Sequence, residues 1–259
     1  GDSLEAIAEQ KAGIIKQGVP LVTGNIVPEA LAVINQIAKA KEAPRFVYEE
    51  DYQVSNQGSV GTGEVFDYTS PLRQGRFQTG LLGLHQIENA GMAITLLDTY
   101  CQETGRELPE NDLLAQALEK TSWPGRFEVV CREPLMILDG AHNPHAIKAL
   151  VETLQERFAD YHKEILFTCI KTKALGEMLD LLGTLPDTEL TLTHFDDDRA
   201  TDEEVLKKVA YSRNLNYQSW KEFLDQKMTE NEEKKTVRIV TGSLYFLSQV
   251  RAYLMERKN

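Results

Sequence analysis

From Phe127 onward the chain repeats one rhythm, a short apolar run followed by an amphipathic stretch, and this constrains the fold more than any other feature. The apolar runs are FEVVC, PLMILD, EILFTCI, ELTLTHF and VRIVTG. Apolar positions at helical spacing cover Pro144 to Phe158, Ala174 to Leu182, about Asp202 to Ser212, a stretch from about Trp220, and Ser243 to about Glu256. Parallel strands need a long crossover between them, and helices of this length supply it. The rhythm therefore predicts an α/β fold, a mostly parallel sheet with helices on both faces. Ligands of such sheets bind at the carboxyl ends of the strands.

The first half is organised differently. Leu4, Ile7, Ala8, Lys11, Ile14 and Ile15 recur at helical spacing, with Asp2 as a cap and Glu5 three residues later. The chain thus opens inside a helical pattern, as a part of something longer would. VPLVTG (Val19 to Gly24) reads as a strand, and Pro28 to Ala43 as a helix with proline in its first turn. Between Arg45 and Leu82 the segments FVYEEDYQV, GEVFDYT and GRFQTGLLGL suggest short strands in a small antiparallel sheet. Helical spacing returns from His85 to about Thr104 and from Asn111 to Thr121, ahead of the loop SWPG (Ser122 to Gly125). A domain boundary belongs there.

Composition narrows the function classes. The 259 residues carry 28 basic against 40 acidic side chains, a net charge of −12, which disfavours a general nucleic-acid or anionic-membrane surface. Cys101, Cys131 and Cys169 lie far apart, with no C-x-x-C pair, and read as thiols of a reducing cytosol. No apolar run approaches the length of a membrane span.

Two strand ends could carry chemistry. PLMIL-DGAHNP and VRIV-TGSLYF both pass from an apolar strand through a glycine into a helix, so each offers backbone N–H groups at a positive helix end. Both suit an anion. The first adds Asp139, able to accept from a ribose, and His142, able to donate to a phosphate or carboxylate. The second adds Thr241, Ser243 and Tyr245. The same residues would also serve as plain caps, Asp139 or Asn143 for one helix and Ser243 for the other, and the residues leave both readings open. Arg126 in SWPGRFE reads equally as a phosphate ligand or a surface ion pair. Gln86 and Asn89 in GLHQIENA share a helix face, where capping is the competing role.

Other features read as ordinary. GSVGTG (Gly58 to Gly63) lacks the lysine and the following helix of a phosphate loop and reads as a hairpin turn. ENEEKK (Glu230 to Lys235) and HFDDD (His194 to Asp198) read as solvated loops, and His145 and His162 have no partner in sequence. No Ser–His–Asp or zinc-ligand pattern emerges.

Taken together, AEQKAGIIKQGVPLVTG, GLHQIENA, WPGRFE, LDGAHNP and TGSLYFLSQVR occur in an order and spacing that resemble the folylpolyglutamate synthases, often also active as dihydrofolate synthases, of the Mur ligase superfamily. The resemblance covers essentially the whole chain. It implies that residues 1–124 are the C-terminal part of a central ATP-binding domain, including the small antiparallel sheet at about 45–82. Residues 125–259 would be a Rossmann-like, glutamate-binding C-terminal domain with a mostly parallel sheet.

The resemblance further implies a cytoplasmic, monomeric amide ligase that uses ATP and Mg2+. ATP would phosphorylate the carboxylate of a folate or dihydropteroate, and the amine of L-glutamate would attack the acyl phosphate. Asn89, Arg126 and Asp139 match family positions that hold ATP, Asp139 on the ribose side and Arg126 towards the phosphates. Lys11 matches a catalytic lysine that is carbamylated in the family, which turns a cation into an anion able to serve magnesium. His142 and Ser243 match positions where the incoming glutamate sits, and His142 also a catalytic one. The family's loop of G-T-x-G-K-G-S type, an acidic magnesium ligand and a histidine before EQKAG have no counterpart in these residues. That points to a piece of a longer ligase, inactive by itself. A second departure is KTKA (Lys171 to Ala174), where the family commonly has D-K-D. Two alternatives stand beside this reading, another Mur-type amino-acid ligase and a non-catalytic nucleotide-binding module.

Overall fold

The computed structural model describes residues 3–60, 63–172, 174–228 and 235–257. They form two compact units, Gly1–Thr121 and Ser122–Asn259. Asp2, the turn residues Gly61 and Thr62, Lys173 of KTKA, and Glu230 to Lys234 of ENEEKK lie outside the described residues.

The first unit begins with helix α1 (Leu4–Ala12), whose cap is Ser3, its Oγ accepting from Ala6 N at 3.2 Å. Strand β1 (Leu21–Thr23), helix α2 (Pro28–Ala40) and strand β2 (Arg45–Val47) follow, and β1 pairs with β2 in parallel. Residues 45–47 therefore do not belong to the antiparallel sheet expected over about 45–82. The physical reason is the crossover: a strand reached through a helix returns in the same direction. The antiparallel sheet consists of β3 (Gln53–Val60), β4 (Gly63–Thr69) and β5 (Gln74–Thr79). Along β4, Glu64, Phe66 and Tyr68 are buried while Asp67 between them meets Arg76 at 2.7 Å on the outer face, the period-two alternation of a half-buried strand. Phe66, Tyr68 and Phe77 pack on Ile87, Ala90 and Ile94 of helix α3 (Leu84–Glu103) and on Leu114 of α4 (Asn111–Lys120). Buried Arg73 grips Asp98 with two bonds of 2.8 Å and reaches Asn111 at 2.6 Å, which ties the β4–β5 turn to both helices.

The second unit holds strands β6 (Glu128–Arg132) and β7 (Leu135–Asp139), helix α5 (Pro144–Arg157), β8 (His162–Phe167), α6 (Leu175–Leu182), β9 (Thr188–Leu192), α7 (Glu203–Arg213), β10 (Asn216–Tyr217), α8 (Trp220–Lys227), β11 (Thr236–Thr241) and α9 (Leu244–Glu256). Its six-stranded sheet runs β10-β9-β8-β11-β7-β6. All pairs are parallel except β6–β7, which a short turn joins, so the α/β expectation of a mostly parallel sheet holds. EILFTCI leaves the ladder after Phe167, and the two-residue β10 is an edge strand that the apolar runs do not announce.

Register places the chemistry. On the central strand β11, Thr241 stands opposite Asp139 of β7 on one side and Phe167 of β8 on the other, so three strand ends stop at one level. Every residue of β11 is buried, as expected for a strand flanked and covered on all sides. Helix α5 lays Ile147, Leu150, Val151 and Leu154 against the core, each such side chain stabilising by about 1.5–3 kcal/mol. The main core gathers Met136, Leu138, Leu166, Val240, Phe246 and Val250 around the sheet. Among the described residues no helix is long and apolar enough to cross a membrane.

Candidate functional site

At the end of β7 the chain turns through Asp139-Gly140-Ala141-His142-Asn143 into α5, and nearly every polar group in that turn has an internal partner. Asp139 accepts from Ala141 N with one oxygen (2.9 Å) and from Phe127 N with the other (3.0 Å). Asn143 Oδ1 caps α5 by accepting from Ala146 N at 2.9 Å, with Pro144 in the first helical position. His142 is exposed, and its Nδ1 lies 2.7 Å from Gly140 O. A carbonyl only accepts, so Nδ1 carries a hydrogen, and in the neutral ring Nε2 is left as an acceptor.

At the end of β11 the turn Thr241-Gly242-Ser243 leads into α9 in a different way. Thr241 Oγ1 donates to Ala141 O at 3.3 Å, which ties the two turns together. Gly242 adopts φ +112°, and a Cβ there would stand 1.6 Å from Thr168 O, so only glycine fits. Ser243 occupies the cap position of α9 yet makes no capping bond. It is 2 % exposed, and its Oγ has no hydrogen-bond partner among the described residues; neither has Oγ1 of Thr168, the buried residue after β8. A buried hydroxyl without a partner is uncommon and calls for an explanation.

Arg126 sits in the loop that enters β6. Trp123 O accepts from its N–H at 3.1 Å, and among the described residues its guanidinium makes no hydrogen bond or ion pair, so the surface ion-pair role is not realised here. A Cβ on Gly140 would meet Arg126 Nη1 at 3.1 Å and Leu244 Cδ2 at 2.4 Å. The unpaired guanidinium, the first turn and the start of α9 therefore converge. Arg126, Asp139, His142 and Ser243 are brought together at one edge of one sheet.

Lys11 and Asn89 belong to the first unit. Lys11 is exposed in the last turn of α1, where a cation complements the helix dipole, and its amine has no partner among the described residues. Asn89 is exposed on α3, and its Nδ2 donates to Gln86 Oε1 at 3.2 Å; Gln86 Nε2 in turn donates to His85 Nε2 at 3.0 Å. The cap position of α3 is Gly83, so neither Gln86 nor Asn89 caps the helix.

Several polar groups outside the motifs are engaged elsewhere in the second unit. Arg199 lies over the Tyr245 ring, 3.5 Å from its centroid, and grips Asp197 at 2.8 and 2.7 Å. That pairing holds the Asp197 carboxyl down to about 2. HFDDD is therefore not simply solvated, and the arginine that follows it comes to rest on TGSLYF. Lys171 meets Asp202 at 3.1 Å. His162, without a partner in sequence, bonds Asp187 at 2.9 Å. His162, Glu164 and Glu189 lie close enough to share a metal ion, but Glu164 is already bound by Lys227 and Arg238, so its charge is met. Cys101 and Cys169 are buried, Cys131 is half-buried, and all three are free thiols.

Comparison with known proteins gives this geometry a context. Residues 125–244 match the family described as Mur ligase, glutamate ligase domain. The chain is 33% identical over 258 residues to dihydrofolate synthase/folylpolyglutamate synthase of Bacillus subtilis, covering 98% of the chain and 59% of that protein. It is 31% identical to folylpolyglutamate synthase of Lacticaseibacillus casei, covering all of the chain and again 59% of the relative. A solved folylpolyglutamate synthase complex with AMPPCP and folate superposes with a TM-score of 0.77 at 29% identity, covering 98% of this chain and 57% of that one. The chain thus spans about three fifths of the length of these three proteins.

Proposed function

We propose that the chain is a folylpolyglutamate synthase of the Mur ligase type and that it carries the amino-acid-adding half of an ATP-dependent ligase that joins L-glutamate to a folate. The observation that carries this reading is the buried Ser243 Oγ and the Arg126 guanidinium, both without a partner among the described residues, at the carboxyl edge where β7 and β11 end. That the solved relative holds AMPPCP and folate agrees with it.

In this reading Arg126 presents its planar fork to the nucleotide's phosphates, where bidentate pairing is strong. Asp139 stands on the ribose side of the nucleotide, and within the first unit Asn89 is the nucleotide-binding candidate. Ser243 donates to a carboxylate of the incoming glutamate, which supplies the missing partner of its hydroxyl. The amine of glutamate reacts only without its extra proton, and His142 Nε2, an acceptor in the neutral ring, takes that proton. ATP supplies the activation of the folate carboxylate. Lys11 as a cation does not fit a magnesium ion; carbamylation, by adding CO2 to the amine with loss of a proton, makes it an oxygen ligand that does. The protein works as a cytoplasmic monomer with no nucleic-acid or membrane partner.

The test is glutamate-dependent ADP release by the full-length polypeptide containing these residues, measured separately with tetrahydrofolate and dihydropteroate. Arg126→Ala is expected to lower kcat/KM for ATP by about tenfold or more. Unaltered turnover would favour the non-catalytic nucleotide-binding alternative, and turnover with muramyl substrates instead would favour another Mur-type ligase. These 259 residues contain no G-x-x-x-x-G-K-[ST] loop and are expected to release no ADP by themselves.

A further inference from the structure

Among the described residues the Arg126 guanidinium has no partner, while the backbone N–H groups of Gly125, Arg126 and Phe127 around it are all hydrogen-bonded. Gly125 has φ +72° and Phe127 φ +46°, a left-handed conformation that a bulky aromatic residue rarely adopts. Three partners hold it. Glu128 Oε2 accepts from Gly125 N at 2.9 Å, Asp139 Oδ2 accepts from Phe127 N at 3.0 Å, and Gly140 N donates to Gly125 O at 2.7 Å. The Phe127 ring is buried and stacks on Phe158, with centroids 6.0 Å apart. The other oxygen of Glu128 accepts from Arg251 Nε at 3.0 Å. Arg251 lies on α9, two turns beyond Ser243.

We infer that Glu128 and Arg251 are positioning residues, a clamp that fixes the Gly125–Phe127 turn so that the Arg126 guanidinium stays aimed at the nucleotide phosphates. Two carboxylates, Glu128 and Asp139, grip the amides on either side of Arg126. Asp139 is part of the strand-end turn and has other work there. Glu128 has no role in the turn, and its two oxygens are spent on Gly125 N and Arg251. The consequence reaches further than one loop. Because Arg251 belongs to the helix that starts at Ser243, the clamp ties the phosphate-facing arginine to the element that presents the hydroxyl for the amino acid. A shift of α9 along its axis would pull on Glu128 and so on Arg126. A guanidinium recognises phosphate through fixed angles, and loss of this support acts on the geometry of binding rather than on its charge.

The inference rests on the reading of Arg126 as a phosphate ligand, and the experiment separates the two. Steady-state kinetics are measured on the full-length polypeptide for Arg126→Ala, Glu128→Ala, Glu128→Gln, Arg251→Ala and the Arg126→Ala/Glu128→Ala double variant. Glu128→Ala is expected to raise KM for ATP by about tenfold while KM for glutamate stays within about twofold. Glu128→Gln keeps an oxygen for Gly125 N and is expected to recover most of the loss. Arg251→Ala leaves that bond in place and is expected to raise KM for ATP by about threefold. The double variant is expected to be no worse than Arg126→Ala alone, because the clamp acts only through that side chain.

A purely structural role predicts instead that the two losses multiply and that kcat falls with KM unchanged; either result overturns the clamp. It is also overturned if Arg126→Ala is impaired while Glu128→Gln and Arg251→Ala both match the wild type and Glu128→Ala either matches it too or fails to fold. If Arg126→Ala itself leaves KM for ATP unchanged, the reading of Arg126 fails, and the positioning role goes with it.

Discussion

The two strand-to-helix turns of the second unit look alike as sequence and behave differently as structure. Asp139-Gly-Ala-His-Asn spends its polar groups on itself: both Asp139 oxygens, His142 Nδ1 and Asn143 Oδ1 are engaged. Thr241-Gly-Ser leaves Ser243 Oγ buried and without a partner among the described residues. The first turn is a frame and the second is a socket. A small polar residue before a helix thus has two possible meanings, and only the accounting of its hydrogen bonds separates them.

The largest test of this contrast is at the glycines. Gly242→Ala would place a Cβ 1.6 Å from a backbone oxygen at φ +112°, so neither rotation nor side-chain movement relieves it. Destabilisation by about 3 kcal/mol or more is expected from urea unfolding. Gly140→Ala meets the tip of Leu244 at 2.4 Å, a flexible partner, and φ is not in the left-handed region. A cost of about 1–2 kcal/mol is expected there. Equal costs would mean that the socket is as adjustable as the frame, and the contrast would fall.

A smaller effect bears on the polar groups. Asp139→Ala removes acceptors from two backbone N–H groups and is expected to cost about 2 kcal/mol, with Asp139→Asn recovering part of it. Ser243→Ala removes a hydroxyl that bonds nothing among the described residues, so a change within about 0.5 kcal/mol of zero is expected, while glutamate-dependent turnover falls. A Ser243→Ala variant as unstable as Asp139→Ala would show that the hydroxyl has a structural partner after all.

Much of this frame was legible beforehand. Strands that enter the core carry apolar runs, so β7, β8 and β11 announce themselves, and the glycines at 140 and 242 mark where β7 and β11 end. The two-residue β10 has too few positions for a pattern. Residues 45–47 read as part of the antiparallel sheet because local alternation does not tell a strand which neighbour it will find; the α2 crossover decides that. Lys11, Asn89, Arg126, Asp139, His142 and Ser243 were all visible as residue types in suitable places. What was hidden is pairing over distance. Glu128 and Arg251 lie 123 residues apart, and nothing local links Arg199 to Tyr245. Asn143 and Ser243 are alike at cap positions, yet Asn143 caps and Ser243 does not.

The smallest effect lies on the rim of the socket, where Arg199 covers Tyr245 and holds Asp197. The hydrogen bonds from Arg199 are the main reason that the Asp197 carboxyl sits at about 2 instead of 3.8. A lowered carboxyl stabilises the fold above its unfolded value and ceases to do so as pH falls through the folded one. The pair should therefore be intact at neutral pH and lost between about pH 4 and pH 2, with little effect on overall stability because Arg199 is exposed to solvent. A carbon-13 titration of the Asp197 carboxyl reads this directly. Arg199→Ala is expected to return the midpoint towards the ordinary aspartate value and to free the Tyr245 ring. If Asp197 already titrates normally in the wild type, Arg199 is not held in solution as it is here. The rim of the socket would then be open on both sides, and Tyr245 would be available to whatever enters beside Ser243.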